Sequence, residues 1–209
     1  MSVPDPPIPE PAEARLADHL PEGVARVLRQ IAAVDREVYR AIATVPTPAL
    51  DEPLRRLSAV ADHSKLWVGI AATVAVVGGR RGRRAAVTGV IALGLNSALV
   101  NMPMKRASRR ARPDRHGAGV PADRWRPMPT STSFPSGHSA SAFAFAGAVS
   151  AVVPALTIPL RGLATAVAYS RVHTGVHYPG DVLAGCLVGA TIGEATAIAG
   201  RAVARRWGA

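Results

Sequence analysis

Cysteine is almost missing: Cys186 stands alone, which excludes a disulfide framework, and no acidic cluster with metal-ligand spacing is present. Lysine is limited to Lys65 and Lys105, so the formal net charge of +11 is carried almost entirely by arginine. Together with abundant alanine and glycine, that bias has the look of a GC-rich genome and says nothing of function. Aromatic residues make up only 4%, few for the stacking platforms of nucleic-acid binding, and basic nucleic-acid-binding proteins seldom carry long uncharged apolar runs. No nucleic-acid partner is expected. The basic start and apolar core of an export signal are also lacking. In their place Met1 to Pro11 holds five prolines and two acids, and residues 1–20 are expected to form a disordered tail. For 209 residues without an internal repeat, one domain is the expectation.

Long apolar runs are what the chain does have. Ala85 to Met104 carries no charge in twenty residues, Gly137 to Leu160 none in twenty-four, and Val182 to Gly200 only Glu194. A helix needs about 20 apolar residues to cross a bilayer, so all three are candidate spans. Leu66 to Gly79 and Gly162 to Ser170 are shorter runs that flanking residues extend. The pattern predicts five helices near 65–79, 84–104, 137–154, 158–172 and 179–205, hence an all-α integral membrane bundle of about five spanning helices over residues 63–209. Residues 21–62 precede it as amphipathic interfacial helices. Val24, Val27, Leu28, Ile31, Val34 and Val38 fall at helical spacing opposite a charged face, and Leu54, Leu57, Val60 and Ala61 repeat the pattern after the break at Thr44 to Pro48. In the last helix, Gly185, Gly189 and Gly193 permit close backbone approach to another helix. Glu194 lies well down that helix, where a structural contact with Arg161 is expected.

Counting crossings places the Arg80 to Arg84 turn, Arg161 and the Arg201, Arg205 and Arg206 tail at one end of the bundle. Three chemical clusters fall at the other: Lys105 with Arg112-Pro113, then Pro135-Ser136-Gly137-His138, then Ser170-Arg171 with His177 and Asp181. Guanidinium groups bind two phosphate oxygens at once, which suits Arg112 and Arg171, and Lys105 adds a point charge. The remaining loop arginines Arg106, Arg109, Arg110, Arg115, Arg124 and Arg126 are expected to be solvated, attracting lipid headgroups. Ser136 sits at a helix N-cap, so the free backbone amides after it form an anion site. His138, in the first turn, is placed to protonate a leaving oxygen. His177 and Asp181 are four apart across a helix start at Pro179, a separation at which the carboxylate takes one ring N–H and leaves the other nitrogen free to attack. His173 lacks an acid at that offset and is expected to be structural, and His116, His19 and His63 rank lower still.

In order and spacing these clusters resemble the three signature motifs of the type 2 phosphatidic acid phosphatase superfamily. The resemblance covers about residues 60 to 205. It implies that Lys105, Arg112, Ser136, Gly137 and Arg171 bind phosphate, that His177 forms a phosphohistidine, that His138 protonates the leaving group, and that Asp181 orients His177. No metal and no cofactor are implied. The superfamily also includes soluble vanadate-dependent haloperoxidases, and the apolar runs favour its membrane branch. The expected protein is thus a multi-pass cell-membrane lipid phosphatase, acting on a phosphatidate-type or polyprenyl phosphate or pyrophosphate. A lipid phosphotransferase, or a silent membrane protein that only binds lipid phosphate, remains an alternative.

Overall fold

The computed structural model describes residues 20–206, and the tail predicted over 1–20 lies outside them but for Leu20. Among the described residues the chain is helical, with no strand. Helix α1 runs Glu22–Thr44 and α2 runs Pro48–Val60, followed by a 3₁₀ turn, Asp62–Ser64, and α3, Lys65–Val77. Helix α4, Gly79–Leu99, passes through a π turn, Val100–Met104, into the short α5, Lys105–Ser108. A long irregular segment then leads to α6, Gly137–Val152, α7, Thr157–His173, and α8, Pro179–Arg206. The five helices predicted from Lys65 onward are all present, with ends within a few residues of expectation.

Helix α6 is the hub, packed on α8, α4 and α7. Its sequence explains this: Ala140, Ala142, Ala144, Ala146 and Ala148 are fully buried, and small side chains let neighbours approach from several directions. Phe145 fills the remaining space against Trp67 of α3, ring centroids 5.4 Å apart. The glycine stripe of α8 lies on the same helix. A Cβ at Gly185 would sit 2.5 Å from the Ser136 carbonyl oxygen, at Gly189 2.1 Å from that of Ala140, and at Gly193 2.5 Å from that of Ala144. The predicted ends of the bundle also hold, since Arg81 Nε donates to the Val152 carbonyl at 2.8 Å and so joins the α3–α4 turn to the C-terminal end of α6. Glu194 differs from expectation: it is exposed and forms no ion pair with Arg161 among the described residues.

The expected count of five spans is not reproduced by length and hydropathy. Among the described residues only α8 is long and apolar enough by itself, and α2 with Asp62–Val77 passes as a pair bent by 63°. Helix length explains the difference. α6 has 16 residues, about 24 Å at 1.5 Å per residue, short of a hydrocarbon core of about 30 Å. α4 spends its first turns on Arg80, Arg81, Arg83 and Arg84, and its apolar run ends in the π turn.

Helices α1 and α2 form where expected, but α1 turns its apolar stripe outward. Val24, Val27, Leu28, Ile31, Val34 and Val38 are exposed, while Ala25, Asp35, Tyr39 and Ala43 face the bundle. Gly189→Val is expected to destabilise the fold by about 1–3 kcal/mol through overpacking, read as a lower thermal midpoint in detergent. An unchanged midpoint would contradict the α6–α8 contact.

Candidate active site

His177 lies in the short turn between α7 and α8 and is buried. Its ring is held between opposite charges. Nδ1 is 3.5 Å from Asp181 Oδ2, and Nε2 is 3.2 Å from Arg112 Nη1. Asp181, in the first turn of α8, is fully buried and saturated with donors: the Ser133 hydroxyl and the Tyr178 N–H, at 3.0 Å, reach Oδ2, and Arg110 Nη1 reaches Oδ1 at 2.7 Å. A carboxylate so held favours the proton on Nδ1, leaving the Nε2 lone pair directed toward Arg112. Burial is the largest influence on the imidazole and, with Arg112 and Arg171 nearby, outweighs the Asp181 hydrogen bond. The pKa falls to about 3, so the ring is neutral at pH 7.

Lys105 and Arg112 meet at Ser131. Lys105 Nζ and Arg112 Nη2 both donate to Ser131 Oγ at 3.2 Å, and Arg112 Nε donates to the Ser131 carbonyl at 2.8 Å. Arg112 Nη1 also donates to the Val176 carbonyl at 2.8 Å, next to His177. Burial, with Arg112 and Arg171 close by, brings Lys105 down to about 8. Among the described residues the only ion pair that Lys105, Arg112 or Arg171 makes is that of Arg171 with Asp62, at 3.9 Å, and three cations so placed are a costly arrangement that an anion would relieve.

Arg171 is buried at the end of α7, donating to the Ser58 hydroxyl with Asp62 at 3.9 Å. Asp62 in turn accepts from Arg126 and lies 2.9 Å from His138 Nε2. That leaves Nδ1 as the His138 nitrogen for a substrate. Ser136 caps α6 as expected, its Oγ accepting from Ser139 N–H, and its own N–H donates to the Asp181 carbonyl at 2.9 Å. Its side chain is therefore engaged inside the protein, and the free donors at this helix start belong to the backbone around Gly137.

All the predicted site residues thus gather at one end of the bundle. Five further residues join them. Ser131 and Ser133 belong to the hydroxyl run Thr130 to Ser133, a signal readable in the sequence. Asp62 is an isolated acid at the mouth of an apolar run. Asp35 and Arg110 complete the surroundings of Asp181. The expectation that six loop arginines are solvated fails for three of them: Arg110 pairs with Asp35 and Asp181, the buried Arg124 with Asp51 at 2.9 Å, and Arg126 with Asp62. Each meets an acid from the first third of the chain, a partner that loop composition alone does not disclose. His173 likewise finds Asp51, at 2.9 Å, and is buried away from His177 as a tie between α7 and α2.

A buried neutral imidazole backed by a carboxylate thus lies beside clustered cations at this end of the bundle. Residues 85–203 match the PAP2 superfamily, and the chain belongs to it. The chain is 33% identical over 180 residues to the decaprenylphosphoryl-5-phosphoribose phosphatase of Mycobacterium tuberculosis, covering 85% of this chain and 91% of that protein. It is 38% identical over 106 residues to the lipid A 1-phosphatase of Rhizobium johnstonii, covering 49% and 43%. Its fold is similar to the transmembrane PAP2 type phosphatidylglycerolphosphate phosphatase of Bacillus subtilis, with a TM-score of 0.62 and 25% identity over 80% of this chain and 84% of that one.

Because the folded His177 titrates near 3 and the unfolded residue near 6.5, its contribution is fully present above pH 6.5 and is lost as pH falls toward 3. The ligand-free protein is expected to lose about 1 kcal/mol from this group between pH 7.5 and 5.5, and His177→Asn to lose correspondingly less. Equal pH dependence of the two thermal midpoints would contradict the buried neutral ring.

Proposed function

We propose that this protein is an integral membrane phosphatase that removes a terminal phosphate from a lipid-linked phosphoester through a covalent phosphohistidine on His177. The observation that carries the reading is the orientation of His177, with Nδ1 at the Asp181 carboxylate and Nε2 beside Arg112.

In the first half of the reaction the Nε2 lone pair attacks phosphorus, and the bond from phosphorus to the leaving oxygen breaks. Lys105, Arg112, Arg171 and the backbone amides at Gly137 take the charge on the phosphoryl oxygens. The leaving oxygen receives a proton from His138, which Asp62 orients; burial lowers this imidazole to about 4 in the empty site, and the charge of the bound phosphate, with Asp62, stabilises its cationic form. In the second half, water gives that proton back to His138 and attacks phosphorus. The P–N bond then breaks, free phosphate leaves, and His177 returns neutral. Asp181 holds the Nδ1 proton throughout, and Ser133, Tyr178 and Arg110 stabilise its charge.

Lipid attachment of the substrate is supported by the outward apolar stripe of α1 and by a groove of about 740 Å³ beside it, lined by Leu28, Ile31, Val34, Val38, Phe134 and Leu183. Among lipid phosphates we favour a polyprenyl phosphate or polyprenyl-linked sugar phosphate, because the Mycobacterium relative matched along most of both chains acts, by its name, on such a molecule. The likeness to a transmembrane PAP2 type phosphatase supports placement in a membrane, and our reading makes the protein a multi-pass one of the cell membrane.

Detergent-purified protein, assayed in chelator, is expected to release phosphate from a polyprenyl-linked phosphoester faster than from phosphatidate or phosphatidylglycerophosphate. Loss in His177→Ala should reach about 10³-fold or more, and a phosphate label trapped on the wild type should be acid-labile. Full turnover in His177→Ala would overturn the phosphohistidine, and preference for a glycerolipid would overturn the substrate class.

A further inference from the structure

Arg110 bonds to the Asp181 oxygen opposite the one that faces His177. Its two terminal nitrogens divide between two acids: Nη1 donates to Asp181 Oδ1 and Nη2 to Asp35 Oδ2, each at 2.7 Å. The guanidinium also lies over the Tyr178 ring, 4.6 Å from its centroid, and Tyr39 of α1 meets Tyr178 edge-on. The second oxygen of Asp35 accepts the Gly180 N–H at 2.7 Å. Helix α1 therefore grips two adjacent residues in the first turn of α8, Gly180 directly and Asp181 through Arg110.

Ser133, Tyr178 N–H and His177 all gather at Asp181 Oδ2. Those contacts anchor one oxygen and leave the carboxylate free to turn about it. Arg110 fixes the other oxygen and so the plane of the group. Arg110 is itself fixed, because Asp35 and the Tyr178 ring hold the rest of its fork. A lysine would supply charge but could not span both acids with fixed geometry. Resting on the proposed nucleophilic role of His177, we infer that Arg110, held by Asp35, is a positioning residue for phosphoryl transfer. It locks the Asp181 carboxylate so that Nδ1 keeps its proton and Nε2 stays aimed at phosphorus. The N-terminal helix α1 is thereby a working part of the catalytic end of the molecule.

The test compares wild type, Arg110→Ala, Arg110→Lys, Asp35→Asn, the Arg110→Ala/Asp35→Asn pair and His177→Ala, all in the full chain in detergent. Arg110→Ala should lower kcat about tenfold or more with KM changed less than about threefold, because Lys105, Arg112 and Arg171 still hold the phosphate. Arg110→Lys should recover part of the loss, Asp35→Asn should show a smaller loss in kcat, and the double variant should be no worse than Arg110→Ala. Nitrogen NMR of labelled histidine reads the same point without turnover: His177 should be one Nδ1–H tautomer in wild type and a mixture in Arg110→Ala. Wild-type kcat together with an unchanged tautomer in Arg110→Ala would overturn the inference. Should that variant fail to fold, the same pair of results in Asp35→Asn would overturn it. Full activity in His177→Ala would instead remove the nucleophile reading, and the tautomer comparison would still decide the role of Arg110.

Discussion

A fully buried carboxylate must be surrounded by donors, and the catalytic end of this protein is arranged around meeting that requirement at Asp181. Transfer of an unpaired charge out of water costs many kcal/mol. Asp181 therefore collects a hydroxyl, a backbone N–H, a guanidinium and an imidazole. These come from the two ends of the α5–α6 segment and from the turn before α8, so satisfying one charge draws two parts of the chain together. The Ser136 N–H on the Asp181 carbonyl adds the start of α6 to the same point. That approach is possible because Gly185, Gly189 and Gly193 present no side chain to α6.

The first third of the chain follows a single pattern. Asp35, Asp51 and Asp62 each pair with one arginine of the irregular segment, Arg110, Arg124 and Arg126 in turn. Each acid also touches a group at the catalytic end: Asp35 the Gly180 N–H, Asp51 His173, and Asp62 His138. Arg124 donates further to the Ala43 and Val45 carbonyls, tying down the end of α1. Acid and arginine stand tens of residues apart in sequence, so the pairs act as long-range clasps. Removing one partner of the buried Arg124–Asp51 pair costs about 3–5 kcal/mol, which makes the segment's course depend on α2. The left-handed backbone at His63 and Ser64 turns the chain from Asp62 into α3, a conformation that persists where its surroundings over-determine it.

The helices from Lys65 onward were legible because apolar runs bounded by arginine, proline and glycine mark their ends, and the motif residues were legible because their spacing is local. The amphipathic character of α1 was legible too, but not which stripe meets the bundle. Tyr39 and Asp35 lie on the border of the apolar stripe, and only the tertiary partners Tyr178 and Arg110 decide that this border turns inward. The acid partners of Arg110, Arg124 and Arg126 were hidden for the same reason, since a charge run is solvated unless acids arrive from elsewhere. The count of five spans is not confirmed by helix length and hydropathy, because caps, the π turn and the arginines of α4 take residues from the apolar runs.

The central claim is that His177 Nε2 is the atom that bonds phosphorus, with Lys105, Arg112 and Arg171 around the oxygens. A structure of the protein soaked with vanadate, which takes the trigonal shape of a phosphoryl group in transfer, tests this most directly. The account predicts vanadium bonded to His177 Nε2, with the three cations on its equatorial oxygens and His138 at the apical oxygen opposite. Vanadate bound to another side chain, or held among the cations with no bond to His177, would contradict it.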